Sequence, residues 1–227
     1  MSPTGPDSGR IRLHGYWRSS AAWRVRIALN LKDLAWESAP VHLLRDGGEQ
    51  RKPAFLALNP QGLLPALEID GRVLTQSLAI IEYLEETRPA PPLLPSDPAG
   101  RARVRSLAQL VASDIHPLNN LRVLQYLRDE LGVDDAHRDE WYRHWIIEGL
   151  NALETRLTSE PEAGRFCHGD VPGLADCCLV PQLYNARRYR CDLDAYPTLL
   201  RVESACGQLE PFRQAAADVQ PDARPDA

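Results

Sequence analysis

The chain is marked first by what it lacks. No run among its 227 residues approaches the roughly 18 consecutive apolar residues that a membrane span needs, so a transmembrane helix is excluded. The opening MSPTGPDSGR has no apolar core, and no signal peptide is expected. Cysteine is scarce: Cys167, Cys177, Cys178, Cys191 and Cys206 are odd in number, two of them adjacent, with no CxxC pair. That pattern argues against a disulfide framework and for a reducing, cytoplasmic setting. The six histidines show neither HxH nor HExxH spacing, so no metal site is expected. Positive charge is not in excess either. A net charge of −5 disfavours nucleic acid and anionic membranes as partners, while leaving room for a local basic pocket that takes a small anion.

What is present is an ordinary globular composition, 44% apolar and 25% charged. The pattern changes character near residue 90. Before it, Arg12–Tyr16 reads as a strand and Ala21–Lys32 as a helix. Trp23, Val25 and Ile27 also alternate with arginines as a strand would, but length and Ala, Leu and Arg content favour helix. Trp36–Leu43 reads as a strand and Glu49–Leu58 as a helix. Asn59-Pro60-Gln61-Gly62 is a loop. Ala66–Ile69 and Val73–Thr75 flank Asp70-Gly71, a hairpin signal. Ser77–Glu86 reads as a helix with Ser77 as N-cap. The order β-α-β-α-β-β-α over 10–87 implies a central sheet with helices on its faces. The proline-rich 88–98 is the linker. An all-helical domain follows over 99–215, then a flexible tail, 216–227. In the helical part a long helix is expected from Val104 to Leu127, kinked where Pro117 lacks its N–H. Helices are also expected at Trp141–Leu157, Leu174–Arg190 and Pro197–Leu209.

Several positions have both a plain and a chemical reading. Ser19 and Ser20 open the first helix and serve equally as caps or as hydroxyls beside an anion, because a helix N-terminus presents unpaired N–H groups and partial positive charge. Gln76 and Ser77 open the third helix in the same way. His116 and Asn120 are four apart, the spacing of one helix face.

Five motifs in this order, "SSAAWRVRIAL", "ALNPQGLLPAL", "QSLAIIEYLEE", "DIHPLNN" and "LADCCLVPQLYNARR", resemble the zeta class of glutathione transferases, the maleylacetoacetate and maleylpyruvate isomerases. The resemblance runs from about Ile11 to Phe212. It implies a thioredoxin-like domain followed by an all-α domain, the glutathione transferase fold, with homodimerisation as the family habit. It implies glutathione as cofactor and a small dicarboxylic keto acid as substrate. By resemblance Ser19 holds the glutathione thiolate, supported by Ser20. Leu64 offers its backbone to the cysteinyl residue beside a cis-Pro65, and Gln76 and Ser77 bind the γ-glutamyl carboxylate. Gln50, and with less weight His42, reach the rest of the tripeptide, and His116 and Asn120 join the glutathione site. Arg18, Arg122 and Arg188 are implied as substrate-binding, since guanidinium forks suit carboxylates. On an ideal helical wheel Arg122 lies nearly opposite Asn120, so its role rests on resemblance.

Two departures from the family pattern stand out. Ala21 replaces a common cysteine, which removes any mixed disulfide at this turn and disfavours thiol transfer and dehydroascorbate reduction. Gly173 replaces the Ser or Thr of a capping box with Asp176, so a weaker cap is expected. Cys177 and Cys178 read as buried small residues. The implied activity is cis–trans isomerisation of a maleyl keto acid. The alternative is a general transferase or dehalogenase for small electrophilic or α-halo acids. A non-catalytic scaffold is disfavoured by the presence of both serines and of Gln76-Ser77.

Overall fold

The computed structural model describes residues 10–223. Two compact units are present. Among the described residues, one comprises 10–92 together with 210–223, and the other spans Leu93–Leu209.

The first unit carries β1 (Arg12–Gly15), α1 (Ser20–Leu31), β2 (Glu37–Pro40), α2 (Pro53–Leu56), β3 (Ala66–Ile69), β4 (Arg72–Thr75) and α3 (Ser77–Thr87). The sheet order is β2-β1-β3-β4. β1 and β2 are parallel, joined by the crossover helix α1, while β3 is antiparallel to both β1 and β4. The hairpin forms as read: Asp70 and Gly71 take φ of 51° and 71°, the left-handed pair a two-residue turn requires. The core is supplied by Leu13 of β1, by Val25, Ile27 and Leu29 of α1, by Leu67 and Ile69 of β3 and by Ile80, Ile81 and Leu84 of α3.

The expected helix over 49–58 is shorter. Glu49–Arg51 is a 3-10 turn, Lys52 is extended, and α2 begins at Pro53, whose ring suits a first helical position but cannot continue a preceding turn. The cap of α3 is Gln76 rather than Ser77, with φ of 67° and no side-chain cap bond, and Ser77 is the first helical residue.

α1 is helical despite its alternating arginines, because Arg24 and Arg26 are both buried. The Arg26 guanidinium is satisfied by main-chain carbonyls of Tyr16, Trp17 and Ala215. Burial pulls its pKa down to about 10, opposed by the charge of Asp222. Lys32, at the end of α1, donates to Glu85 and to the carbonyls of Arg88 and Pro91, which ties the end of α3 to the start of the linker.

The C-terminal segment differs from its expectation. Residues 210–215 form α9 (Glu210–Ala215), which packs on α1 within the first unit instead of closing the helical domain. Residues 216–223, expected to be flexible, carry a 3-10 turn at Ala217–Val219, a buried Gln220 and an Asp222 bonded to Trp17. The rest of the expected tail, 224–227, lies outside the described residues.

The second unit is helical: α4 (Pro98–Gln109), α5 (Leu121–Asp129), α6 (Asp135–Ser159), α7 (Leu174–Arg188) and α8 (Pro197–Gly207). The long helix expected from 104 to 127 is two helices. α4 runs into a π-helical turn, Leu110–Ile115, and the chain then turns at 116–119 before α5 starts afresh. A proline at 117 has no N–H for the helical ladder, so the wide turn and break take the place of a kink. Gly149 of α6 makes room for it, since a Cβ there would overlap Ile115. No helix among the described residues is long and apolar enough to cross a membrane.

Candidate functional site

In the first unit the candidate residues sit at the carboxyl end of β1, at the starts of α1 and α3, and on the loop before β3. Strand β1 ends at Gly15, the chain turns through Tyr16–Ser19, and α1 follows. Ser19 is the N-cap: its Oγ accepts from the Ala22 N–H at 3.3 Å. The plain reading of Ser19 is therefore realised, and it does not exclude the chemical one. An acceptor-bonded hydroxyl still has its O–H to donate. First-turn N–H groups such as that of Ala21 have no carbonyl one turn earlier. No acidic residue lies in the first turn, so nothing on this helix cancels its positive end. Arg18, half-buried, stands over the Trp17 ring at 5.0 Å.

The loop before β3 is rigidly held. The Asn59 side chain donates to the Leu63 carbonyl at 2.7 Å and accepts from the Gln61 N–H at 3.1 Å. The Leu64–Pro65 peptide is cis, and Leu64 packs its side chain with Val41, Phe55 and Ala66. Pairing of β3 with β1 and β4 begins at Ala66, so the Leu64 backbone lies outside both ladders.

Gln76 carries its strained φ at the start of α3 and donates from Nε2 to Gln61 at 2.9 Å. The buried Ser77 hydroxyl accepts from Arg24 of α1 at 3.3 Å. This contact links the starts of the two helices and places a guanidinium beneath the α3 N-terminus. Arg24 lies within the SSAAWRVRIAL motif, but the sequence assigned it no role.

Gln50 is buried. Its Nε2 donates to the Leu43 carbonyl at 3.4 Å, and its Oε1 has no partner among the described residues. His42 is fixed by the loop: its Nδ1 accepts from the N–H groups of Leu44 and Arg45 at 3.2 and 2.8 Å. Tyr16 meets the His42 ring edge-on.

In the second unit, His116 and Asn120 do not share one helix face. The His116 N–H donates to the Val111 carbonyl, closing the π-turn. Asn120 is the N-cap of α5, accepting from the Arg122 N–H at 3.1 Å. Arg122 is exposed in the first turn of α5. The residue that locks this turn is Asn119, part of the DIHPLNN motif but given no role in the sequence reading; it is buried and donates to the Tyr142 carbonyl at 3.1 Å. On α7, Arg187 is committed to Glu203 through two 2.5 Å bonds. Its neighbour Arg188 is exposed, bonded to Asn185 and placed over Tyr189, which stacks on Tyr142. The structure thus separates the two arginines into a paired one and a presented one.

All five cysteines are free and buried, and burial pushes the thiols of Cys167, Cys177, Cys191 and Cys206 up, away from the nucleophilic thiolate. A nucleophilic sulfur at this site would have to be brought in.

Comparison with known proteins agrees with this geometry. The sequence model of the glutathione S-transferase N-terminal domain matches residues 13–92. A probable maleylacetoacetate isomerase of Vibrio cholerae is 55% identical over 212 residues, 93% of this chain and 97% of that one. The holo structure of a maleylpyruvate isomerase, described as a bacterial zeta-class glutathione S-transferase, superposes with a TM-score of 0.91 at 51% identity, covering 94% of this chain and all of the other. A maleylacetoacetate isomerase from Anaeromyxobacter dehalogenans, solved with glutathione in its active site, gives a TM-score of 0.84 at 52% identity over 95% of this chain and 98% of that one. A mixed four-stranded sheet joined to a helical unit, with a serine-capped helix start, a cis-proline loop and relatives of this closeness, means that the chain belongs to the zeta class of glutathione transferases, the family of the maleylacetoacetate and maleylpyruvate isomerases.

Proposed function

We propose that this chain is a glutathione-dependent cis–trans isomerase that converts a maleyl keto acid, maleylacetoacetate or maleylpyruvate, to its fumaryl isomer. The observation that carries this reading is the start of α1, a hydroxyl-capped helix N-terminus with no acid in its first turn and no cysteine of its own.

The residues present fit a γ-glutamyl tripeptide thiol. The α3 N-terminus with Ser77 offers donors for a carboxylate, the Leu64 backbone offers a strand edge for a peptide unit, and the α1 N-terminus suits an anionic sulfur. Gln50 adds a buried acceptor, its Oε1, with no partner among the described residues. When bound, glutathione supplies a thiol that adds to the conjugated double bond, lets it rotate as a single bond and leaves again.

The chain's own residues do the rest. Ser19 donates its O–H to the sulfur, and the α1 N-terminus stabilises negative charge there, lowering the thiol pKa. Ser20 supports that turn. Gln76 and Ser77 hold the γ-glutamyl end, and Arg24 beneath Ser77 adds positive potential. The family resemblance assigns His116 and Asn120 to glutathione, and Arg18, Arg122 and Arg188 to the carboxylates of the substrate. Five free cysteines favour a reducing compartment, and we place the protein in the cytoplasm, as a homodimer by family habit.

The test is a rate measurement with both maleyl acids, with and without glutathione, on the wild-type chain and on Ser19→Ala. Isomerisation that requires glutathione and falls by ~100-fold in the variant is the expected outcome, the scale of losing one oxyanion-type donor. Faster turnover of α-halo acids than of either maleyl acid would favour a dehalogenase instead, and an unchanged Ser19→Ala enzyme would remove the assignment of Ser19.

A further inference from the structure

The turn that presents α1 is held from the far end of the chain. Between Gly15 and Ser19 the backbone has left the sheet and has not yet entered the helix, so its polar groups need partners of their own. One is local: the Ser19 N–H donates to the Tyr16 carbonyl at 2.9 Å. The others are not. The Trp17 N–H donates to Asp222 Oδ2 at 2.9 Å, across 205 residues of sequence. The Trp17 carbonyl accepts from Arg26 at 2.8 Å, and the same guanidinium reaches the Tyr16 carbonyl at 3.4 Å and the Ala215 carbonyl at 3.0 Å. Both polar atoms of the Trp17 backbone, two residues before the N-cap, are thus fixed by side chains from elsewhere.

The C-terminal segment is itself anchored well enough to act as a support. Phe212, Ala215 and Ala217 are buried, and Asn30 of α1 donates to the Pro211 carbonyl at 3.0 Å. The buried Gln220 amide closes the segment on itself through the carbonyls of Gln214 and Ala216. Asp222 follows two residues later.

We propose that Asp222 is a positioning residue for the isomerisation: through the Trp17 N–H it holds the Tyr16–Ser19 turn, so that the Ser19 hydroxyl and the α1 N-terminus meet the sulfur in a fixed geometry. The proposal rests on the reading of Ser19 given above. It makes the last segment of the chain part of the thiol-activating apparatus without touching any ligand. It also separates two properties of one carboxylate. As an acceptor Asp222 fixes the turn directly, and its charge supports the buried Arg26 guanidinium that holds the Tyr16 and Trp17 carbonyls, whereas the same charge near α1 opposes thiolate formation.

The experiment compares full-length wild-type protein with Asp222→Ala and Asp222→Asn. Three quantities are read: the pKa of the thiol of bound glutathione from thiolate absorbance against pH, kcat and KM for isomerisation, and amide exchange at Trp17. Losing one hydrogen bond of this kind corresponds to a roughly 5- to 10-fold effect. In Asp222→Ala the bound thiol pKa should therefore rise by about 0.7–1 unit, kcat/KM should fall by about 5- to 10-fold, and Trp17 should exchange faster. Asp222→Asn keeps an acceptor and loses the charge, and it should stay within about 2-fold of wild type on all three. Asp222→Ser, too short to reach Trp17, gives the same reading if the alanine variant does not fold.

A folded Asp222→Ala with unchanged thiol pKa and turnover overturns the proposal, and so does Asp222→Asn failing as badly as alanine. Ser19→Ala run alongside keeps the two readings apart. If it loses activity while Asp222→Ala does not, only the positioning role is lost. If wild-type protein leaves the glutathione thiol pKa at its free value, the reading of the site falls and this proposal falls with it.

Discussion

Helices α1 and α7 begin in opposite ways. α1 starts from Ser19, whose hydroxyl caps one N–H group, and no carboxylate lies in its first turn. α7 starts from Gly173, which has no side chain, and the work is done from inside the helix by Asp176. The Asp176 carboxylate accepts from the Cys167 N–H at 2.9 Å and from the Gly173 N–H at 2.8 Å, and it is buried. One helix start keeps its first turn free of carboxylates. The other brings its own anion and closes over it. The difference separates a helix start that can do chemistry from one that holds a fold together.

The largest effect should come from opening the closed end. Asp176→Ala leaves a buried and a partly buried N–H group without an acceptor and should cost about 3 kcal/mol of unfolding free energy in a urea titration. Turnover per folded molecule should be unaffected. Asp176→Asn should recover little, because an amide cannot accept with both terminal atoms. The pH dependence carries an unusual sign. Burial pushes the Asp176 carboxyl above its ordinary value of 3.8, against the pull of the two N–H donors. The folded protein therefore holds this proton to higher pH than the unfolded chain does. Its contribution is full below about pH 3.8 and is lost as pH rises through the folded value. Wild-type stability should fall across that window relative to Asp176→Asn; a wild-type curve that instead rises relative to the variant would contradict the assigned direction.

The next largest effect should come from closing the open end. Ser19→Asp imports the device of α7 into α1. Aspartate caps about as well as serine, so the thermal midpoint should hold or rise slightly. A fixed carboxylate beside the sulfur opposes the thiolate, so kcat/KM should drop by about 100-fold and the thiol pKa of bound glutathione should rise. Stability and activity moving apart in one substitution is the sharp outcome. Activity that holds along with stability would mean that Ser19 is only a cap.

Much of this was legible in the sequence, for local reasons. The alternation of strands and helices, the Asp70-Gly71 hairpin and the serine cap each depend on a few neighbouring residues. What was missed depends on partners far along the chain or on backbone geometry. Arg24 and Arg26 look like an amphipathic face, yet both are buried: the carbonyls of Tyr16, Trp17 and Ala215 satisfy Arg26, and Arg24 donates to Ser77. Asp222 reads as part of a polar tail until its 2.9 Å bond to Trp17 is seen. Pro117 signals a disturbance, but whether a helix kinks or stops was decided by Asn120, which caps a new helix, and by Gly149, which leaves space for the wide turn. The motifs that named the family contain Arg24, Arg26 and Asn59 as well as Ser19, Leu64 and Ser77, but only the fold shows which of these residues are buried supports.

The smallest effect tests why α7 gave up its hydroxyl. A serine at 173 would complete the capping box with Asp176 and, by local rules alone, should add about 1 kcal/mol. Space decides otherwise. A Cβ at position 173 would lie 2.7 Å from the Leu93 carbonyl oxygen, which accepts from the Leu174 N–H at 2.9 Å. The obstructing atom is backbone, so relief requires moving Leu93 and stretching that bond. Gly173→Ser should therefore destabilise by about 1 kcal/mol despite the better cap, and Gly173→Ala by somewhat more, since it adds the methyl without the hydroxyl. The two variants compared in urea isolate the hydroxyl from the crowding. If serine instead stabilises, Leu93 yields easily, and the glycine is a gap in the box rather than a response to the chain packed against it.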